Sequence, residues 1–312
     1  MKWLITGGSG LIGRNIIRQM NTSGNAKQSH STVILDVKDK PPQLDDRWCH
    51  WVIGDITNKE QLETIIDEHQ VQGIVHLVSL LRGECAKQPY LAAKINVGGF
   101  NNILDIAVSR KIQKVIFASS VQVYGAESYY GTAKWIDETT ERKPQTLYGI
   151  TKCHCEDLAA YYNENLGANV VGLRFSTVYG YGRSTGPNVY LTDAIAQAAR
   201  HQDITIPYKD LCQNLLYVKD AAGAIVHCMN ADKYKKTVYN ICSEKIISNV
   251  DVAEALRELA PDIKIELTGG EFPIQGATPY TSPKAASEEL GFTLKYPLGT
   301  AIRDFIQEAV SS

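Results

Sequence analysis

"KWLITGGSGLIG", residues 2–13, decides the fold. A short apolar run breaks into glycines, with Gly7, Gly10 and Gly13 at three-residue intervals, and helical periodicity then begins with Leu11, Ile12, Ile16, Ile17 and Met20. Strand, glycine turn and helix N-terminus in that order make an anion cradle. The glycines permit a tight turn and close backbone approach, and the helix end presents unpaired amides with the positive pole of its dipole. The spacing is not G-x-G-x-x-G, but it places Gly7, Gly10, Leu11, Ile12 and Gly13 where a pyrophosphate would lie.

Further apolar segments follow: "TVILD" (32–36), "WVIG" (51–54), "GIVHLV" (73–78), "KVIFAS" (114–119) and "NVVGLRF" (169–175), with helical patterns between most of them. This alternation predicts an α/β fold, a Rossmann-type doubly wound parallel sheet covered on both faces. The stretch 92–111 reads as one long crossover helix, with Gly98 and Gly99 marking close packing. Beyond 175 the pattern is less regular: a loop at 176–188, a helix over 189–200, strands at "ITI" and "NLLYV", a helix at 219–230 and a strand at 237–242. Two short helices, 282–290 and 300–310, then lie among Pro261, Pro273, Pro279, Pro283 and Pro297. The expected division is a dinucleotide-binding domain over 1–175, with 207–240 returning to it, and a smaller C-terminal substrate-binding lobe over 176–206 and 241–312.

The composition agrees with a packed enzyme-sized core: 312 residues, 44% hydrophobic. With 32 basic and 34 acidic residues well mixed, nothing calls for a nucleic-acid partner. No signal-peptide pattern opens the chain and no apolar run is long enough to span a bilayer, so a cytoplasmic protein without a membrane partner is expected. Seven irregularly spaced cysteines suggest reduced thiols rather than a disulfide or zinc framework.

Asp36 ends the second strand, where a carboxylate accepts hydrogen bonds from ribose hydroxyls and repels a 2′-phosphate; NAD is the expected cofactor. Arg14, directly after Gly13, works against that preference if its guanidinium serves a phosphate, and is otherwise a solvent-facing helix residue. Asp55 and Ile56 follow the third strand; the Asp55 carboxylate can meet an adenine amino group or cap a local turn. In "TLYGITK", Tyr148 and Lys152 share one helix face. A phenol acts as a base near neutral pH only beside a cation, and a lysine four residues on supplies one.

Taken together, these pieces resemble the extended short-chain dehydrogenase/reductase family, in its NAD-dependent epimerase/dehydratase branch. "TGGSGLIG", Asp36, "GDI", "HLVS", Asn96, "FASSVQVYG", "YGITK", "LRFSTVYG" and "YVKDAAGAI" occur in family order. The resemblance implies that Tyr148 is the acid/base, that Lys152 binds the nicotinamide ribose and favours the phenolate, and that Ser120 holds the reacting oxygen, with Ser119 as the alternative register. It places Asn96 near the cofactor, and Ser79, Arg82, Val121, Gln122, Thr177 and Arg183 around the substrate. It also implies a homodimer formed through the crossover helix and the helix from Tyr148.

The chain departs from the family at positions that bear on the reaction. Dehydratases place an aspartate and a glutamate where this chain has Val121 and Gln122, so elimination of water is rejected. Gln213 stands where nucleotide-sugar epimerases carry a diphosphate-binding arginine, and a second such arginine is missing from "GGEFPIQGATPY". Arg183 and Arg82 are the remaining candidates for an anionic group. The reading placed first is an NAD-dependent epimerase acting on a hydroxylated sugar or sugar derivative through a transient keto intermediate. The second is a net dehydrogenase of a small polyol, aldose, uronate or hydroxy acid, and the third a non-catalytic NAD-binding protein.

Overall fold

The computed structural model describes residues 1–22, 32–41, 44, 48–186, 188–272 and 276–311; Pro273 and part of "GGEFPIQGATPY" lie outside them. β1 (Trp3–Thr6) turns through the glycines into α1 (Leu11–Thr22), followed by β2 (Thr32–Asp36), β3 (Cys49–Ile53), α2 (Lys59–His69) and β4 (Gly73–His76). α3 (Arg82–Lys87), α4 (Pro89–Ala92) and α5 (Phe100–Ser109) lead to β5 (Lys114–Ser120), and α6 (Leu147–Leu166) to β6 (Val170–Phe175). Then come β7 (Thr177–Tyr179), α7 (Val189–Ala198), β8 (Ile204–Ile206), β9 (Cys212–Gln213), β10 (Leu215–Tyr217), α8 (Val218–Asn230) and β11 (Val238–Ile241). The chain ends with β12 (Ile247–Ser248), α9 (Asn249–Leu259), β13 (Ile265–Leu267), α10 (Lys284–Glu288) and α11 (Leu298–Ser311).

Seven parallel strands form the main sheet in the order β11-β6-β5-β4-β1-β2-β3. Side-chain alternation sends Leu4, Val33 and Ile74 to one face, with Leu62 of α2, Ile103 of α5 and Cys155 of α6. Ile5, Ile34 and Val75 go to the other, with Ile16 of α1, Ile225 of α8 and Ala286 of α10. Covering both faces explains why these strands read as continuous apolar runs. A third core, including Ile195, Leu256 and Phe305, underlies the smaller strand pairs β7–β10, β8–β13 and β9–β12. Ile12 and Val178 pack against this core and the α1 face together, so the glycine turn and the start of β7 share one packed seam.

Two local expectations are corrected. The stretch 92–111 is not a uniform α-helix: Ala93–Gly99 forms a π-helical turn. Of its two glycines only Gly99 is a packing device, since a Cβ there would lie 2.2 Å from Ile56 Cδ1, whereas one on Gly98 would meet only the Ala93 carbonyl at 3.9 Å. Helix α9 is absent from the sequence reading, although Ser248 and Asp251 cap it reciprocally.

Beneath α6 lies a buried ion pair. Arg174 of β6 donates to both carboxylate oxygens of Glu156, at 2.8 and 2.7 Å. Burial alone would lower the Arg174 pKa, but the hydrogen bonds and charge of Glu156 prevail and raise it. Ser119 Oγ and Arg142 Nη1 also donate to Glu156, at 2.6 and 3.2 Å. Removing one partner strands a charge, so Glu156→Ala should cost about 3–5 kcal/mol in urea unfolding. A loss below about 1 kcal/mol, the range of exposed pairs, would contradict this account.

Candidate active site

The site forms at the carboxyl ends of β1, β4 and β5, where the sheet order reverses direction. Gly7 has φ +78°, and a Cβ on Gly13 would lie 2.6 Å from Gly8 Cα, so α1 is seated directly on the turn. Its first helical bond is Arg14 N to the Gly10 carbonyl at 3.0 Å, which leaves the amides of Leu11, Ile12 and Gly13 at the positive end. Gly10 is exposed, so the cradle is open to a ligand. Asp36 is buried beside the turn; its Oδ2 accepts from Ser9 N and Oγ at 2.9 and 2.6 Å, and its Oδ1 from Lys38 N at 3.1 Å. An open cradle with a fixed carboxylate at the end of β2 fits NAD, the cofactor of this fold. The Asp55 carboxylate accepts from Thr57 N at 2.8 Å, a local turn cap, and Ile56 is buried against Gly99.

The catalytic candidates come from β5 and α6. Thr146 caps α6, accepting from Gly149 N, so the helix begins at Leu147 and places Tyr148 and Lys152 on one face. Lys152 is buried; its Nζ donates to the Ala118 carbonyl at 2.7 Å and lies 5.5 Å from the Tyr148 ring centroid. Ser120 follows two residues after Ala118, and its Oγ accepts from Gln122 N at 3.2 Å, capping the turn Val121–Val123. Between the serine registers the geometry favours Ser120, because Ser119 is committed to Glu156. Helix and turn meet through Gly149: a Cβ there would lie 2.2 Å from the Gln122 carbonyl oxygen.

Asn96, in the π-helical turn, is buried and fully engaged: Oδ1 accepts from Leu80 N at 2.7 Å, and Nδ2 donates to Leu80 O at 3.1 Å and Thr151 Oγ1 at 3.2 Å. It ties the segment after β4, which carries Ser79 and Arg82, to the catalytic helix. Ser79 Oγ donates to Leu80 O at 3.1 Å, and Arg82 is half-buried at the start of α3. Thr177 opens β7, its amide donating to Asn214 O at 3.0 Å. Arg183 donates to the Thr185 carbonyl at 3.1 Å and to the Val178 carbonyl. Burial lowers its pKa, an effect that the Tyr148 phenol partly offsets.

Arg14 is half-buried rather than fully solvent-facing, and its Nη2 donates to the Gly182 carbonyl at 3.2 Å. Three further residues escape the sequence reading. His76 is buried, 2.9 Å from Thr6 Oγ1, and burial with the Lys152 charge pushes its pKa down to about 3, so it stays neutral. Glu156 continues the four-residue spacing of Tyr148 and Lys152, a signal available in the sequence. Tyr190 Oη accepts from Gln213 Nε2 at 3.2 Å and from Asn249 Nδ2 at 3.0 Å, and its ring packs edgewise on Tyr208 and Phe272. Among the described residues no group of three or more His, Cys, Asp or Glu could hold a metal, and no helix is long and apolar enough to cross a membrane.

A family model, the NAD dependent epimerase/dehydratase family, matches residues 3–242. The chain is 26% identical over 272 residues to an uncharacterized epimerase/dehydratase of Staphylococcus saprophyticus, covering 85% of this chain and 82% of the relative. It is similar to the solved L-threonine dehydrogenase of Clostridium difficile, with TM-score 0.85, 25% identity and coverage of 99% of this chain and 97% of that one. It also shares the fold of the UDP-glucose 4-epimerase of Thermus thermophilus in complex with NAD, with TM-score 0.83, 20% identity and 99% coverage of each chain.

Asp36→Ala should weaken NAD binding by about tenfold or more, the loss of charged hydrogen bonds, and should narrow the preference over NADP. Isothermal titration with both cofactors measures this, and an equal loss for the two would mean that the carboxylate serves only Ser9.

Proposed function

The chain belongs to the NAD-dependent epimerase/dehydratase family, and on that premise we propose that it is a net NAD-dependent dehydrogenase of a small hydroxy acid or hydroxy amino acid. The observation that carries this reading is Gln213. At the position of the expected diphosphate-binding arginine, its buried side chain is bonded to Tyr190, within a cluster of Tyr190, Tyr208 and Phe272. Gln213 itself brings no cation to a nucleotide diphosphate there, and its amide is already bonded to Tyr190. The likeness to L-threonine dehydrogenase supports the same conclusion. The two leading readings from sequence therefore exchange order, with dehydrogenation ahead of epimerisation.

Bound NAD supplies the hydride acceptor. Lys152 Nζ, held by the Ala118 carbonyl at 2.7 Å, lies 5.5 Å from the centroid of the Tyr148 ring. Tyr148 takes the proton of the substrate hydroxyl while Ser120 Oγ holds the same oxygen. Arg183, whose Nε and Nη1 are bonded to the Thr185 and Val178 carbonyls, would receive the substrate carboxylate on Nη2. Val121 and Gln122 provide no carboxylate next to Ser120, so oxidation is not followed by loss of water. A homodimer through α5 and α6 accords with the exposure of Ile150 and Tyr161 on α6, and a monomer in sedimentation velocity would count against it.

An absorbance scan at 340 nm with NAD and hydroxy acids, L-threonine, polyols, free sugars, uronates and nucleotide sugars tests the proposal. Stoichiometric NADH with a hydroxy acid or hydroxy amino acid is expected. Isomer formation from a sugar without NADH would restore the epimerase reading. Tyr148→Phe should lower turnover by about 10²–10⁴-fold, the usual worth of a positioned acid/base, with NAD affinity retained.

A further inference from the structure

Arg14 belongs to the first turn of α1, where its amide donates to the Gly10 carbonyl, so the glycine turn fixes its backbone. Its guanidinium crosses to the substrate side and donates to the carbonyl of Gly182, 168 residues away in sequence and directly before Arg183. Gly182 has φ +82°, and a Cβ built there would lie 2.9 Å from Arg14 Nη2, so a side chain at 182 would crowd the guanidinium. The arrangement recurs four residues later. Gly186 has φ +97°, and a Cβ there would lie 2.6 Å from Arg183 Nη2. One short loop thus bends twice through the left-handed region, and each bend makes room for one guanidinium.

Arg183 uses its own donors on the Val178 and Thr185 carbonyls, which set the side chain relative to the loop. Those contacts tie Arg183 to β7, whose Val178 shares a packed seam with Ile12 of α1, and the Arg14–Gly182 bond adds a direct tie from the helix on the glycine cradle to the loop itself. We infer that Arg14 is a positioning residue for the substrate, acting through Gly182 to hold Arg183 at a fixed place beside the cofactor site. This rests on the reading of Arg183 as the carboxylate clamp. It gives Arg14 no contact with the reacting atoms and no part in choosing between NAD and NADP. The physical need is clear for a small substrate. Any drift of the Arg183 anchor relative to the hydride acceptor is a drift of the reacting carbon.

The test is a mutant cycle read by binding, without turnover. L-threonine and DL-3-hydroxybutyrate are titrated calorimetrically into the NADH-loaded protein, a dead-end complex. Arg183→Gln should weaken the better-bound probe by about tenfold or more, the scale of a charge-assisted hydrogen bond. Arg14→Met should weaken it by about tenfold on the same scale, with NADH affinity and melting temperature close to wild type. In the Arg183→Gln background, Arg14→Met should add less than about twofold, because both changes act on one contact. Gly182→Ala, which crowds the guanidinium from the other side, should reproduce the Arg14→Met loss if the methionine variant folds poorly.

Unchanged probe affinity in Arg14→Met and Gly182→Ala, full additivity with Arg183→Gln, or a matching loss of NADH affinity would each overturn the role of Arg14. Wild-type binding of neither probe, or binding indifferent to Arg183→Gln, would instead overturn the carboxylate-clamp reading itself, so the two failures are distinguishable.

Discussion

The buried carboxylate of Glu156 is the contact on which the geometry of the candidate site depends. It lies one helical turn beyond Lys152 and gathers donors from β5, β6 and the segment before α6, namely Ser119, Arg174 and Arg142. Ser119 sits between the two residues of β5 that matter most: Ala118, whose carbonyl holds Lys152, and Ser120, the candidate partner of the reacting oxygen. Fixing Ser119 against α6 therefore fixes both. A buried pair of this kind contributes little net stability over an apolar filling of the same shape. Its value here is register, since sliding α6 along β5 by one turn would leave the Arg174 charge without its partner.

A steric constraint complements the electrostatic one. At Gly149 the helix approaches the turn after β5 so closely that the Gln122 carbonyl oxygen occupies the space of a Cβ. The glycine between Tyr148 and Lys152 is thus a packing requirement, and it brings the start of α6 onto the turn that Ser120 caps. On the opposite side, Asn96 spends its whole amide on Leu80 and Thr151, joining the segment after β4 to the same helix. α6 is consequently held from three directions, and its outward face is left with exposed Ile150 and Tyr161.

How much of this is legible in the sequence follows from the range of the interactions involved. The strands, the glycine turn and the Tyr148–Lys152 spacing are local patterns, and the Rossmann-type sheet follows from them. The choice between Ser119 and Ser120 stays open in the sequence because neighbouring strand residues differ only in the face they present, and the partner that decides it, Glu156, is 37 residues from Ser119. The bond from Arg14 to Gly182 is out of reach of the sequence because the two are 168 residues apart. The π-helical turn ends on Gly99, whose close contact with Ile56 comes from a distant segment and has no local signature. Helix α9 is different: Ser248 and Asp251 spell its capping box in the sequence, and Pro261 lies just past its end as a stop signal, so its cues are local and readable.

The same division explains why the acid/base set cannot choose between oxidation and epimerisation, while the lobe can inform the choice. Proton removal and hydride transfer begin both reactions, so Tyr148, Lys152 and Ser120 serve either. Epimerisation further requires the oxidised intermediate to turn over and present its other face without leaving. A nucleotide diphosphate meets that need by anchoring the molecule at a distance from the reacting ring, leaving the ring free to rotate. On the proposed reading a small acid held by Arg183 has no such remote anchor. Turning it over would mean releasing that contact, and the oxidised product would then depart. On the proposed reading, Gln213 bonded to Tyr190 where the remote anchor would bind makes release of the oxidised product the favoured outcome.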